Sequence, residues 1–104
     1  MAGVDFAAVR SSVSMRQVLD WLEFEPSQRR GNQWRGPCPL HRSRSPHSRS
    51  FSVNLDLHRY QCFRCKSFGN QLDLWAAARN ISLYAAAVDL CQRGNLPVPW
   101  ITRW

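Results

Sequence analysis

The apolar positions of the chain change period twice. Met15, Val18, Leu19 and Leu22 recur at helical spacing, and Ser14 with Gln17 has the form of a capping box, so a leading helix is predicted over residues 14–26, stopping before Pro26. Ahead of it, Val4 to Val9 makes one short helical turn that Ser11-Ser12 interrupts. Past Pro26 the period falls to two. Ser27 to Gly31 reads as a polar, basic turn and Gln33 to Gly36 as a short strand; Phe51, Val53 and Leu55 alternate, and Arg59 to Phe63 returns antiparallel to them. Gly69 turns the backbone, and the helical period resumes at Asn70, which with Asp73 starts a helix carrying Leu72, Trp75, Ala76 and Arg79. A second helix from Ser82 has Leu83, Ala86, Ala87, Leu90 and Cys91 on one side and ends at Gly94, with Pro97 and Pro99 barring its continuation. The expected fold class is α+β: a short antiparallel sheet over residues 33–69, flanked by the leading helix and by two C-terminal helices over 70–94. Residues 95–104, with two tryptophans and no regular period, form an extended tail.

Two ligand-like pairs sit in the strand region. Cys38-Pro39-Leu40-His41 and Cys62-Phe63-Arg64-Cys65 are separated by a hairpin-sized insert, the arrangement in which four nitrogen and sulfur donors close tetrahedrally on one Zn²⁺. Three thiolates and one imidazole leave no position for a reactive water, so such a metal holds structure and activates nothing. The centre carries a net charge of minus one, which turn N–H groups and the neighbouring Arg64 and Lys66 offset. Pro37 and Pro39 stiffen the first turn. Cys91 could replace His41 in a four-thiolate site, but its place in a helical pattern beside Ala87 and Leu90 reads as a small core residue. His47, in a basic loop, and His58, at the hairpin turn, carry no assigned role. The segment is thus expected to be a zinc ribbon, its metal contributing on the order of 10 kcal/mol to folding, comparable to the net stability of a small domain.

The 104 residues suggest one domain, and charge adds a direction to it. The net charge is +7, and thirteen of the fourteen cations are arginine. Between Arg29 and Lys66 nine cations face one acid, Asp56, while the rest of the chain has five cations and six acids. The excess therefore surrounds the ligand pairs, as expected of a face that meets phosphates. Arg42 to Ser50 reads RSRSPHSRS, a basic loop between the pairs. Arg42, Arg44, Arg49, Arg59, Arg64 and Lys66 are the candidate phosphate contacts, and Tyr60, Phe63 and Phe68 the candidate base-stacking rings; Phe51 and Trp34 read as core. The metal-type cysteine pairs, an N-terminus unlike a signal peptide and the lack of a membrane-length apolar run lead us to expect a soluble, cytoplasmic protein.

Taken together, Arg35-Gly36-Pro37-Cys38-Pro39-Leu40-His41, Ser50-Phe51-Ser52-Val53, Tyr60-Gln61-Cys62-Phe63-Arg64-Cys65, Gly69-Asn70 and Asp73 resemble the N-terminal zinc-binding domain of bacterial and phage DNA primases. The resemblance covers roughly residues 14–92. It implies Cys38, His41, Cys62 and Cys65 as ligands of one structural zinc, and contact with single-stranded template DNA. Primer synthesis in that family needs a separate domain with a glutamate and an Asp-x-Asp cluster that holds Mg²⁺. This chain has seven acids and no Asp-x-Asp, so it is expected to be non-catalytic by itself, partnering a primase catalytic domain, a helicase or another replication or mobile-element protein. The other reading is a zinc-stabilised adaptor that docks a protein through its helices or its tryptophan-bearing tail.

Overall fold

The computed structural model describes residues 2–40 and 49–102. Strand β1 (Ala2–Val4) leads into helix α1 (Phe6–Ser12), capped by the Asp5 carboxylate, which accepts from the Ala8 N–H at 3.2 Å. The two serines do not interrupt this helix. The Ser11 hydroxyl donates back to the Ala7 carbonyl at 3.0 Å, and the turn closes through Val13 N–H to Val9 O. Helix α2 (Met15–Trp21) has both arms of the expected capping box between Ser14 and Gln17. It ends well before Pro26, because Glu23 enters the left-handed region at φ 57° and Phe24 N–H turns back to Leu19 O.

Five strands follow, β2 (Gln28–Arg30), β3 (Gln33–Gly36), β4 (Phe51–Asn54), β5 (Arg59–Cys62) and β6 (Phe68–Gly69), all antiparallel and in chain order across one sheet. The segment read as a basic turn is thus partly strand β2, hinged on Gly31 at φ 56°. The register sets two faces. Trp34, Val53, Tyr60 and Gly69 share one inner row, and Gly36, Phe51 and Cys62 the next. Phe51 and Val53 are fully buried there, and Phe24 packs on Phe51 with ring centroids 5.1 Å apart.

Helix α3 (Gln71–Arg79) lies against β5 and β6, and helix α4 (Leu83–Arg93) packs on α3 and α1. Gln71 is buried and fastens the helical layer: its amide donates to Arg10 O at 3.0 Å and Val13 O at 2.9 Å. His58, at φ 52° in the β4–β5 turn, accepts the Met15 N–H on Nδ1 at 3.1 Å, tying the hairpin tip to the start of α2. On α4 the buried side is Ala86, Ala87, Leu90 and Cys91 as expected, whereas Leu83 is exposed. The tail is not simply extended. Strand β7 (Trp100–Thr102) pairs with β1, so the two ends of the described chain lie side by side.

Candidate metal centre and nucleic-acid face

The register places Gly36 of β3, Phe51 of β4 and Cys62 of β5 across from one another, so the two cysteine turns leave the sheet at the same end. Pro37 carries β3 into Cys38, and the second turn folds through Cys62 N–H to Ser67 O at 2.8 Å and Lys66 N–H to Cys62 O at 3.0 Å. Lys66 adopts φ 65° to close it. Two backbone N–H groups aim at sulfur, Leu40 at Cys38 Sγ and Cys65 at Cys62 Sγ, each at 3.4 Å. Such donors offset thiolate charge.

The Sγ atoms of Cys38, Cys62 and Cys65 all lie within 4.8 Å of one another, with Cys38 and Cys65 3.9 Å apart, and none is in a disulfide. Tetrahedral zinc with bonds of about 2.3 Å sets its sulfurs about 3.8 Å apart. The donors present fit that ion, in chemistry and in spacing. His41, Arg42, Arg44 and His47 lie outside the described residues. Cys91 does not join the cluster; it sits in the helical core, where burial raises its thiol pKa.

Tyr60, read as a stacking ring, is only 4% exposed and stacks on Phe51 at 5.6 Å and 21°, so its faces serve the core. Its position on the inner row, opposite Val53, is the reason. Its hydroxyl meets Ser67 Oγ at 2.7 Å. Burial raises the phenol pKa, the Ser67 bond lowers it, and Asp73, Cys65 and Cys38 raise it further.

The opposite face of the sheet is open to solvent. One row across it runs Gln28, Arg35, Ser52, Gln61 and Phe68, and a second runs Arg30, Gln33, Asn54 and Arg59. Phe68 is 74% exposed and Phe63 49%. Over Phe63 lies the Arg35 guanidinium at 5.3 Å, which also donates to Arg49 O at 2.7 Å. Between β3 and β6 a shallow groove of about 410 Å³ is lined by Gln33, Ser52, Arg59, Gln61 and Phe68 among others. Arg49, Arg64 and Lys66 are also exposed. Apart from Arg59, the polar members of this face were not among the sequence candidates, although the alternation of Phe51 and Val53 already sends Ser52 outward. Trp34, expected in the core, packs against it but is only partly buried, and its ring meets the guanidinium groups of Arg29 at 4.8 Å and Arg16 at 5.5 Å. Elsewhere Tyr84 and Trp100 form an exposed aromatic pair with centroids 6.3 Å apart, the kind of surface an adaptor would use. Among the described residues no helix is long and apolar enough to cross a membrane.

Comparison with known proteins adds three findings. The CHC2 zinc finger family matches residues 5–103. The DNA primase of Staphylococcus epidermidis is 29% identical over 96 residues, which is 91% of this chain and 16% of that protein, and the DNA primase of Treponema pallidum is 36% identical over 69 residues, 66% of this chain and 11% of that protein. The crystal structure of the Aquifex aeolicus primase zinc-binding and RNA polymerase domains matches with a TM-score of 0.73 at 23% identity, covering 92% of this chain and 23% of that one. The chain thus spans about a sixth or less of the curated relatives' length.

Proposed function

This chain belongs to the CHC2 zinc-finger family, the zinc ribbon of DNA primases, and from that premise we propose that it is a non-catalytic module that binds single-stranded DNA for template recognition in primer synthesis. Cys38, His41, Cys62 and Cys65 hold one Zn²⁺. The bound ion supplies cross-linking and no reactivity, because four protein donors close its coordination shell. What the chain's own residues do is present a rigid sheet beside the cross-link. Polymerisation belongs to a separate carboxylate-bearing domain, for which seven scattered acids give no substitute.

The observation that carries the reading is the chemistry of the sheet. Strands β2 to β6 contain no acid, three of their arginines (Arg30, Arg35 and Arg59) lie on the solvent face, and two exposed phenylalanines stand on or beside it. A polyanion with unstacked bases matches that surface: cations take the phosphates, and rings take the bases at roughly 1–3 kcal/mol each. Arg42, Arg44, Arg49, Arg59, Arg64 and Lys66 supply the salt-sensitive part, and Phe63 and Phe68 the stacking part.

Fluorescence anisotropy of a labelled single-stranded oligonucleotide across a salt series tests this. The logarithm of the binding constant should fall linearly with log salt, and replacing Arg59, Arg64 and Lys66 together by glutamine should flatten the slope by about two. Binding that ignores salt, or a slope unchanged in the triple variant, overturns the reading.

A further inference from the structure

Phe68 and Gln61 are register partners on adjacent strands, so their Cβ atoms stand on the same face at about 4.5–5.5 Å. Both are exposed, and both line the groove. Each of the other amides there has one end committed: Asn54 Oδ1 takes the N–H groups of Asp56 and Leu57 at 3.0 Å each, and Gln33 Nε2 reaches Ser52 Oγ at 3.4 Å. Among the described residues nothing hydrogen-bonds the Gln61 carboxamide. A large ring left in water beside an uncommitted donor-acceptor pair is a poor solution for stability alone. It is a good one for holding a planar group that has both a π-face and a polar edge. Charge fits the same ligand, because Arg59 lines the groove and Arg30 and Arg35 lie on the same solvent face.

We propose that Gln61 is a base-reading residue: a nucleobase stacks on Phe68 while the Gln61 carboxamide bonds its edge, favouring adenine through N6 and N7. The inference deepens the single-stranded DNA reading above and rests on it. It divides the face by task. Arginine contacts set affinity without regard to sequence, whereas one carboxamide beside one ring sets preference.

The test uses the zinc-loaded chain and homopolymers of about twelve deoxynucleotides, within the span one small module covers. The unaltered chain should bind oligo-dA at least about fivefold tighter than oligo-dC. Gln61→Ala should erase that ratio while leaving zinc content and salt slope unchanged. Gln61→Glu, which can only accept, keeps the bond from N6 but loses the one to N7, and should narrow the ratio of dA to dC binding. Replacing adenine by 7-deazaadenine, which lacks N7, should lower affinity for the unaltered chain and have no effect on Gln61→Ala. A ratio of dA to dC binding that survives in Gln61→Ala, or equal binding of adenine and 7-deazaadenine, overturns this inference and leaves the single-stranded DNA reading standing. Absence of salt-dependent binding to every homopolymer overturns both.

Discussion

At the residue scale the cysteines divide into two kinds, and the division is measurable. Cys62 ends β5 fully buried, with its sulfur in the metal cluster; Cys62→Ser should lose the single equivalent of zinc and with it the folded sheet. Cys91→Ala should keep the zinc, since that thiol serves the packing of α4, and loss of metal there would make Cys91 a ligand. Cys91→Ala should also differ from the unaltered chain in alkaline stability. Burial raises the Cys91 pKa, so the neutral thiol is the form the fold prefers. Its contribution is fully present below the unfolded-state value of about 8.5 and is lost as pH rises through the higher folded one. Urea midpoints of Cys91→Ala should therefore fall less steeply above that pH than those of the unaltered chain, and parallel curves would show that the thiol ionises without penalty. Metal-ligand spacing made Cys38, Cys62 and Cys65 legible because each pair is local in sequence. The burial of Tyr60 was not legible from its arginine-rich neighbours, since it depends on which way the pleat faces.

At the element scale, helix α3 shows how a local signal becomes rigid structure. Asn70 caps it, accepting from Leu72 and Asp73 N–H groups at 2.9 and 3.0 Å, and Asp73 reciprocates to Asn70 N–H at 2.9 Å. Asn70→Ala should cost about 1 kcal/mol. Gly69→Ala should cost more. Its φ of 146° is open only to glycine, and an added Cβ would lie 2.6 Å from the Asp73 Cβ and collide with the carboxylate that completes the cap. Urea titrations with zinc in excess would rank the two, and an equal or smaller loss for Gly69→Ala would mean that the backbone there relaxes. Helix starts at Ser14 and Asn70 were readable because a cap and its helix are contiguous. Strand β2 was not: its three residues, Gln28, Arg29 and Arg30, show no apolar alternation, and it becomes a strand only because Gly31 folds it back on β3.

At the scale of the whole molecule, the metal cross-links the ends of two strands that a long insert separates, while β1 and β7 clasp the opposite ends of the chain. A helical core that includes Val9, Met15, Leu72 and Trp75 joins these regions. Chelation should therefore lower the thermal midpoint of the entire molecule by tens of degrees or abolish its transition, followed by circular dichroism and tryptophan fluorescence together. An unchanged midpoint after metal removal would show that the apolar core suffices. The sequence by itself determined the zinc chemistry, the α+β class, the helix starts at Ser14, Asn70 and Ser82 and the concentration of arginine in the segment that carries the cysteine pairs, because these follow from spacing, period and charge within short windows. Only the tertiary structure decided which residues face outward from the sheet, that Phe68 stands beside Gln61, that Trp34 meets the guanidinium groups of Arg16 and Arg29 and that the tail pairs with β1. Those depend on register and on contacts between residues far apart in the chain, where a shift of one position along a strand exchanges the buried face for the exposed one.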